Sequence, residues 1–419
     1  MKNSALAKSD FSVAYYLGDR KTGSVYVVTS HQGGIAVKPI ENGPESGLDK
    51  SLKPIFVGVT TDHRVITLDP QSKQVTISES FPQDAFPAHI YSDPKSNRDW
   101  FMNDGDKETG NDVLNCGDKG SSVTVIEDTS SGQAKYLGTI CVGRGHHQAN
   151  FSFPSAEAAN VPYQAYISNL KDGTLSVIGN DPKKDDFLKV LATINLCEAD
   201  KEKDMDSVGI PNNAFPHGLV YSPVTGKVYN LNNGYGTIAV INTQTHEIVD
   251  RIAFKGHSNL FLSPCGRYIF GRGADRKSDP NHVIAKLSVL DVTTNEIVAS
   301  CDLPDVYISK YYFNPEGSKL YLTTSSSGSP EQQANLKTDA LLVFDMASLP
   351  EIKLISEVRL GVPSGSLSFL PSEGEFSSSL VFSSNSAQGS LVVLDGDNHQ
   401  VLETIAVANG LSHSRAWII

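Results

Sequence analysis

The sequence predicts an all-β chain folded as a single seven-bladed β-propeller, closed by pairing of its N- and C-terminal strands in one blade. Three observations predict it. One phrase recurs seven times along 419 residues. Each copy alternates apolar and polar residues with the period of a strand. The tail LSHSRAWII reads as the opening strand of a blade whose other strands lie at the far end of the chain.

The recurring phrase is an alternating stretch ending near Asp or Asn, a polar turn, and a second alternating stretch. It reads RVITLDPQSKQVTIS from Arg64, SVTVIEDTSSGQAKYLGTI from Ser122 and TLSVIGNDPKKDDFLKVLATI from Thr174. It continues as TIAVINTQTHEIVDRI from Thr237, KLSVLDVTTNEIVASC from Lys286, LLVFDMASLPEIKLISEV from Leu341 and SLVVLDGDNHQVLETI from Ser390. The turn-side residues Asp69, Glu127, Gly179, Asn242, Asp291, Asp345 and Asp395 follow one another at 49 to 63 residues. The Asp/Asn/Ser/Thr/Gly turns are hairpin chemistry. Most copies have a second strand pair upstream, such as LVYSPVTGKVYNLNN from Leu219, LFLSPCGRYIFGRG from Leu260 and YYFNPEGSKLYLTTS from Tyr311. Four antiparallel strands make one blade. The expected blades are 11–82 with 411–419, then 87–142, 145–196, 215–255, 256–303, 306–361 and 362–409. The C-terminal strand is expected to complete the blade built from 55–80. The polar insertions 95–120 and 199–213 are expected to lie over one face. No stretch carries a sustained helical period.

Composition narrows the function. Hydrophobic residues make up 39% and charged residues 20%, an ordinary globular balance. A net charge of −12 without basic clusters argues against a nucleic-acid partner. No apolar run is long enough for a membrane-spanning helix. The first residues hold no apolar signal-peptide core, so the expected location is the periplasm if a signal was removed and the cytoplasm otherwise. Five scattered cysteines form no CxxC pair and read mainly as buried or half-buried thiols; Cys116 and Cys141 could form one bridge.

Eleven histidines remain to be explained. His31, His63, His246, His282 and His399 lie in turns or polar segments and read as solvated surface residues. The other six begin the first strand of a blade: FPAHIYSDP (His89), RGHHQANFSFP (His146, His147), FPHGLVYSP (His217), KGHSNLFLSP (His257) and LSHSRAWII (His413). First strands line a propeller's central channel, so residues scattered in sequence converge at one mouth. His147 and His257, each seven residues before a proline, are expected to face the axis. His146 joins them only if Gly143-Arg144-Gly145 twists the strand start. Channel histidines could simply bind water and backbone carbonyls. Six in register point instead to a metal site, because neutral imidazole suits copper, zinc or iron better than calcium or magnesium. Lys310, Arg144 and Arg272 could bring positive charge to the same mouth and orient an anionic substrate. The acids of Asp104-Gly-Asp106-Lys-Glu108 lack a calcium loop's spacing and read as a solvated turn. GRGADR from Gly271 is Gly-rich but opens no helix, so it is not a phosphate cradle.

The pattern SPVTGKVY, SPCGRYIF and NPEGSKLY resembles the YVTN family of seven-bladed propellers, which implies the fold and not an activity. HHQANFSF followed by YQAYISNLKDGTLSVI is similar to the catalytic propeller of nitrous oxide reductase, with PHG at 216–218 and Ser412-His413 matching later histidine positions. The resemblance implies a copper cluster at the channel mouth, with His146, His147, His217, His257 and His413 as ligands and His89 beside them. The related thiocyanate dehydrogenases, with fewer histidines, imply the same. Two departures weaken it. Ser309, Lys310 and Ser364 stand where further ligands are needed, and nothing here matches the paired-cysteine copper domain that delivers electrons in that family. The resemblance therefore implies one to three metals and redox chemistry on a small inorganic or sulfur/nitrogen compound, with Lys310 or Arg144 orienting it and an electron-transfer protein as partner.

Two rivals come from other classes. One is a metal-free propeller used as a protein-interaction scaffold. The other is a lactonase- or lyase-type propeller with one histidine as general base and a hard cation, which predicts carboxylates at the channel slots.

Overall fold

A computed structural model describes residues 87–103, 116, 121–128, 134–202, 208–370, 379–385 and 389–407, plus the backbone of strands within 13–39, 55–80 and 411–418. Of Pro87, Ala88, Asp128, Ala134, His146, His147 and Leu370 too, only the backbone is described. The chain is all-β. Six four-stranded antiparallel sheets follow one another from Pro87 to Ala406, each a meander whose strands pair in chain order. In one, Pro216–Ser222, Lys227–Asn232, Thr237–Asn242 and Ile248–Ala253 lie side by side. Their connecting turns are built from PVTG, NGYG and TQTHE, the short links that antiparallel strands allow.

The expected first blade divides in two. Val13–Asp19, Val25–His31 and Gly34–Pro39 form a sheet completed by the C-terminal strand Leu411–Ile418, which pairs with Val13–Asp19. Ile55–Val59, Arg64–Asp69 and Gln74–Ser80 form a separate three-stranded sheet. The terminal strand therefore joins 13–39 and not 55–80, because the first 50 residues already hold three strand-length alternating pieces. The described strands fall into eight sheets, one more than the repeat count predicts.

Neighbouring sheets touch through their first strands. His146–Ser152 lies between Pro87–Ser92 and Pro216–Ser222, and Pro216–Ser222 packs on Asn259–Leu262. Leu411–Ile418 packs on Ser366–Leu370 and Ile55–Val59. The core runs along these seams as separate clusters. One cluster joins Phe261, Phe270, Leu287 and Leu303 to Leu320, Leu342 and Phe344; another joins Trp100, Met102 and Val125 to Phe151, Ala165 and Ile167. Middle strands are therefore buried on both faces: Gln164–Asn169 and Thr174–Gly179 are buried throughout. The alternation read as one buried face holds only at the rim, where Val190–Asn195 is largely exposed. A sheet sandwiched between two others has no solvent face except at its outer strand.

Three of the first strands share one irregularity. Between Pro216↔Asn232 and Leu219↔Asn230, two residues oppose one, and the same bulge lies between His146↔Asn169 and Ala149↔Ile167 and between Ile308↔Thr324 and Tyr311↔Leu322. A bulge unpairs its residues and re-aims their side chains. A hydroxyl across the strand takes up the stray amide twice: Gln148 N donates to Ser168 Oγ at 3.0 Å and Lys310 N to Thr323 Oγ1 at 3.1 Å. In the third bulge Gly218 is required by close approach, since a Cβ there would sit 2.9 Å from Leu260 N.

Cys116 and Cys141 form a disulfide, with Cα atoms 5.1 Å apart. Of the free cysteines, Cys197 and Cys301 are half-buried but Cys265 is exposed. The insertion after Leu196 is tied down by buried Glu198, which accepts from Arg251 Nη1 at 3.0 Å and from the Thr237 hydroxyl. Most of 104–120, including Asp104, Asp106 and Glu108, lies outside the described residues.

Candidate functional site

A cavity of about 630 Å³ opens where five first strands begin. His89 and Tyr91 come from Pro87–Ser92, Gln148 from the next first strand, His217 from Pro216–Ser222, and Ser258 and Asn259 from the start of the following one. Ser309, Lys310, Tyr311 and Tyr312 come from Ile308–Phe313. Four consecutive residues can face one cavity because the bulge at Ser309-Lys310 breaks the two-residue alternation. Asn233, Arg272 and Tyr307 complete the wall.

Among the described residues, none that line the wall is a carboxylate. Arg272 is half-buried on the second strand of its sheet. Its Nη1 donates to Ile308 O at 2.8 Å, while its buried Nε has no partner. Burial lowers its pKa, and the Tyr307 and Tyr311 hydroxyls oppose that. A guanidinium stays protonated regardless. Among the described residues no carboxylate pairs with it. Lys310 reaches Ser366 Oγ with Nζ at 3.1 Å, and the surrounding wall lowers its pKa by desolvation although the side chain is exposed to the cavity.

His217 has a defined tautomer. Its Nδ1 lies 2.5 Å from Ser258 O. A carbonyl can only accept, so Nδ1 carries the proton and Nε2 the lone pair. Burial is the main cause lowering its pKa; the Ser258 carbonyl raises it and the Arg272 charge lowers it further. His217 is a neutral imidazole at pH 7, able to take a proton or a metal at Nε2.

The structure brings His89, His217 and Lys310 into this one cavity and leaves other expected residues out. His257 is buried in its own sheet: Nε2 lies 2.9 Å from Ser288 Oγ and the ring stacks on Phe254 at 4.0 Å. Burial depresses its pKa to about 4, helped by Lys286 and opposed by the Phe254 and Lys255 carbonyls. It does not line the cavity; Ser258 does. Arg144 is also absent from the wall. Its Nε and backbone N both donate to the Asp172 carboxylate at 2.7 Å, so its charge is spent on a turn. The side chains of His146, His147 and His413 lie outside the described residues. In the backbone, Gly145 has φ 63° and a bulge follows His146. Among the surface-assigned histidines, His399 is buried and meets Tyr321 edge-on.

Sequence reasoning missed Gln148, Asn233, Ser258 and the tyrosines. A signal existed. His217, Gln148, Ser258 and Ser309 each stand six residues before a proline (Pro223, Pro154, Pro264, Pro315), whereas His257 and His147 stand seven before. One residue of slip turns a strand residue to the other face. No group of three His, Cys, Asp or Glu side chains placed to hold a metal occurs among the described residues.

Comparison with known proteins adds the fold. No protein-family model matches the chain. No curated protein matches it by sequence. Solved structures do. The periplasmic gluconolactonase PpgL of Pseudomonas aeruginosa is 13% identical, with a TM-score of 0.55 over 97% of this chain and 99% of that one. The dihydro-heme d1 dehydrogenase NirN is 11% identical, with a TM-score of 0.58 over 99% of this chain and 76% of that one. AztD of Citrobacter koseri is 13% identical, with a TM-score of 0.51 over 97% and 98%. The chain has a β-propeller-like fold. At these identities the likeness is one of fold alone.

Proposed function

We propose that the chain is a hydrolase of lactonase type that binds an anionic lactone or ester in the cavity around His217, Arg272 and Lys310. The observation that carries this reading is Arg272, a half-buried cation that meets no carboxylate among the described residues, in a wall that also holds Lys310. Burying such a charge is costly unless something offsets it, and a bound anion would. His217 Nε2 takes a proton from water, the water oxygen attacks the carbonyl carbon, and the Lys310 ammonium or Arg272 guanidinium steadies the oxyanion. The ring C–O bond then breaks, the alkoxide takes the proton back, and the product acid ionises. The likeness to PpgL, whose name is gluconolactonase, favours this alternative over the copper reading. The hard cation expected with it finds no carboxylate among the described residues of the wall; the two cationic side chains take that part.

The test is acid release from sugar-acid lactones with and without a phosphate or carboxylate. Anionic lactones should open at least tenfold faster than neutral ones, and Arg272→Gln should remove that preference. No acceleration over buffer with any lactone would overturn the reading.

Copper remains a second reading because of one observation: a histidine that gives Nδ1–H to a backbone carbonyl presents Nε2 as metal-bound histidines do. His89 shares the cavity, but two imidazoles beside Arg272 and Lys310 make a poor cation site. The reading therefore needs His146, His147 or His413, and an electron-transfer partner with them. Metal analysis of protein purified without added metal tests it; less than about a tenth of a metal per chain, with no copper or zinc affinity on titration, ends it.

We propose further that the eight sheets close into one ring, with Leu411–Ile418 as the first strand of its blade. The terminal pairing and the packing of that strand on both neighbours support this. An extracytoplasmic location is supported by the Cys116–Cys141 disulfide and by the periplasmic source named for PpgL.

A further inference from the structure

A second cavity, of about 400 Å³, lies further along the same first strands. It shares Tyr91, Gln148 and Tyr311 with the cationic cavity, so the two are chambers of one channel meeting at a collar. Beyond the collar the chemistry changes. Phe151, Phe153, Phe261, Leu262 and Phe313 line the second chamber, and among the described residues no charged one does. Phe261 stacks on Tyr311 at 3.9 Å, so the collar ring is part of the apolar wall. The chamber's two side-chain amides are committed to the strand seam: Gln148 Oε1 accepts from Leu219 N at 3.0 Å and Asn150 Oδ1 from Tyr221 N at 3.1 Å. Its size falls within the range of small-molecule sites, whose walls are mostly apolar with a few polar groups that orient the ligand.

We propose that the anion held by Arg272 and Lys310 carries an aliphatic or aromatic group that passes the Tyr91–Gln148–Tyr311 collar into the apolar chamber. The ligand class is thus amphiphilic, an acyl- or aryl-substituted anionic ester or lactone, not a bare sugar acid. The inference rests on the anion-site reading and adds to it the direction and chemistry of the substituent.

The test is calorimetric titration with n-alkylsulfonates of two to eight carbons, with anilinonaphthalenesulfonate fluorescence as a second measurement on unaltered protein. Affinity should rise about three- to fourfold per added carbon until the chamber is full. Leu262→Trp, which fills the chamber, should flatten that rise and leave ethanesulfonate binding unchanged. Arg272→Gln should weaken every member alike. Where Leu262→Trp fails to fold, displacement of the dye by octanesulfonate at far lower concentration than by ethanesulfonate is the expected result. Equal affinity for all chain lengths, or equal displacement, overturns the apolar subsite and leaves the anion site standing. Binding that Arg272→Gln does not weaken, or no binding at all, overturns the anion site and the inference with it.

Discussion

His217 and His257 begin neighbouring blades in similar phrases, FPHGL and KGHSNL, and meet opposite fates. His217 sits in a bulge, six residues before Pro223, and lines the cavity. His257 sits seven before Pro264, ahead of a first strand that pairs without a bulge from Asn259↔Arg272 to Leu262↔Ile269. It turns back under Phe254 and bonds Ser288. A histidine in this repeat is thus a channel residue or a core residue by a margin of one position.

Exchanging the two roles gives the largest expected effect. His217→Ala should cut lactone opening about 10²- to 10⁴-fold with little change in stability. His257→Ala should leave turnover near normal but destabilise the fold by roughly 2 kcal/mol, read by urea unfolding, as the ring under Phe254 is lost. The reverse pattern would mean that the wrong histidine has been placed at the reacting centre.

The second test uses pH. His257 has a folded-state value of about 4 against an unfolded 6.5. Between those values the unfolded chain binds the extra proton, so stability rises with pH across that window and is lost as pH falls through it. Its share is about 3 kcal/mol, fully present above pH 6.5. Unfolding at pH 7 and pH 5 should differ clearly, and His257→Leu should shrink the difference.

A smaller effect separates the cavity from its surroundings. Arg272→Gln should weaken anion binding about 10- to 100-fold, the usual scale for a charged hydrogen bond, whereas Arg144→Gln should not change it. Equal losses would return Arg144 to the site. The smallest effect concerns the bulge itself. Thr323→Ala leaves the Lys310 amide without its hydroxyl acceptor and should cost about 1 kcal/mol. A rise in KM at constant kcat would show the bulge acting on substrate binding through Lys310.

Much of this was legible in the sequence. Alternation and turn chemistry located the strand pairs of 87–406, since strand period and hairpin turns are local properties. The phrase LVYSPVTGKVYNLNN spans one such pair, Pro216–Ser222 with Lys227–Asn232. The grouping of His89, His217 and Lys310 in one cavity was also legible, because equivalent positions of successive repeats lie near one another. Of the three cations expected at the mouth, Arg272 and Lys310 line the cavity and Arg144 does not; Arg272 gets there from a second strand reaching past Ser258.

What the sequence by itself determined is the β class, the four-strand unit and the location of the first strands of the six sheets from Pro87 to Ala406. Only the tertiary structure decided how 1–82 divides, which of two adjacent residues enters the channel, and that Arg144 meets Asp172 while Arg272 meets no carboxylate among the described residues. The reason is physical. Strand period and turn preference are set by neighbours in the chain. Bulges, charge pairing and the partner of a terminal strand are set by groups tens to hundreds of residues away.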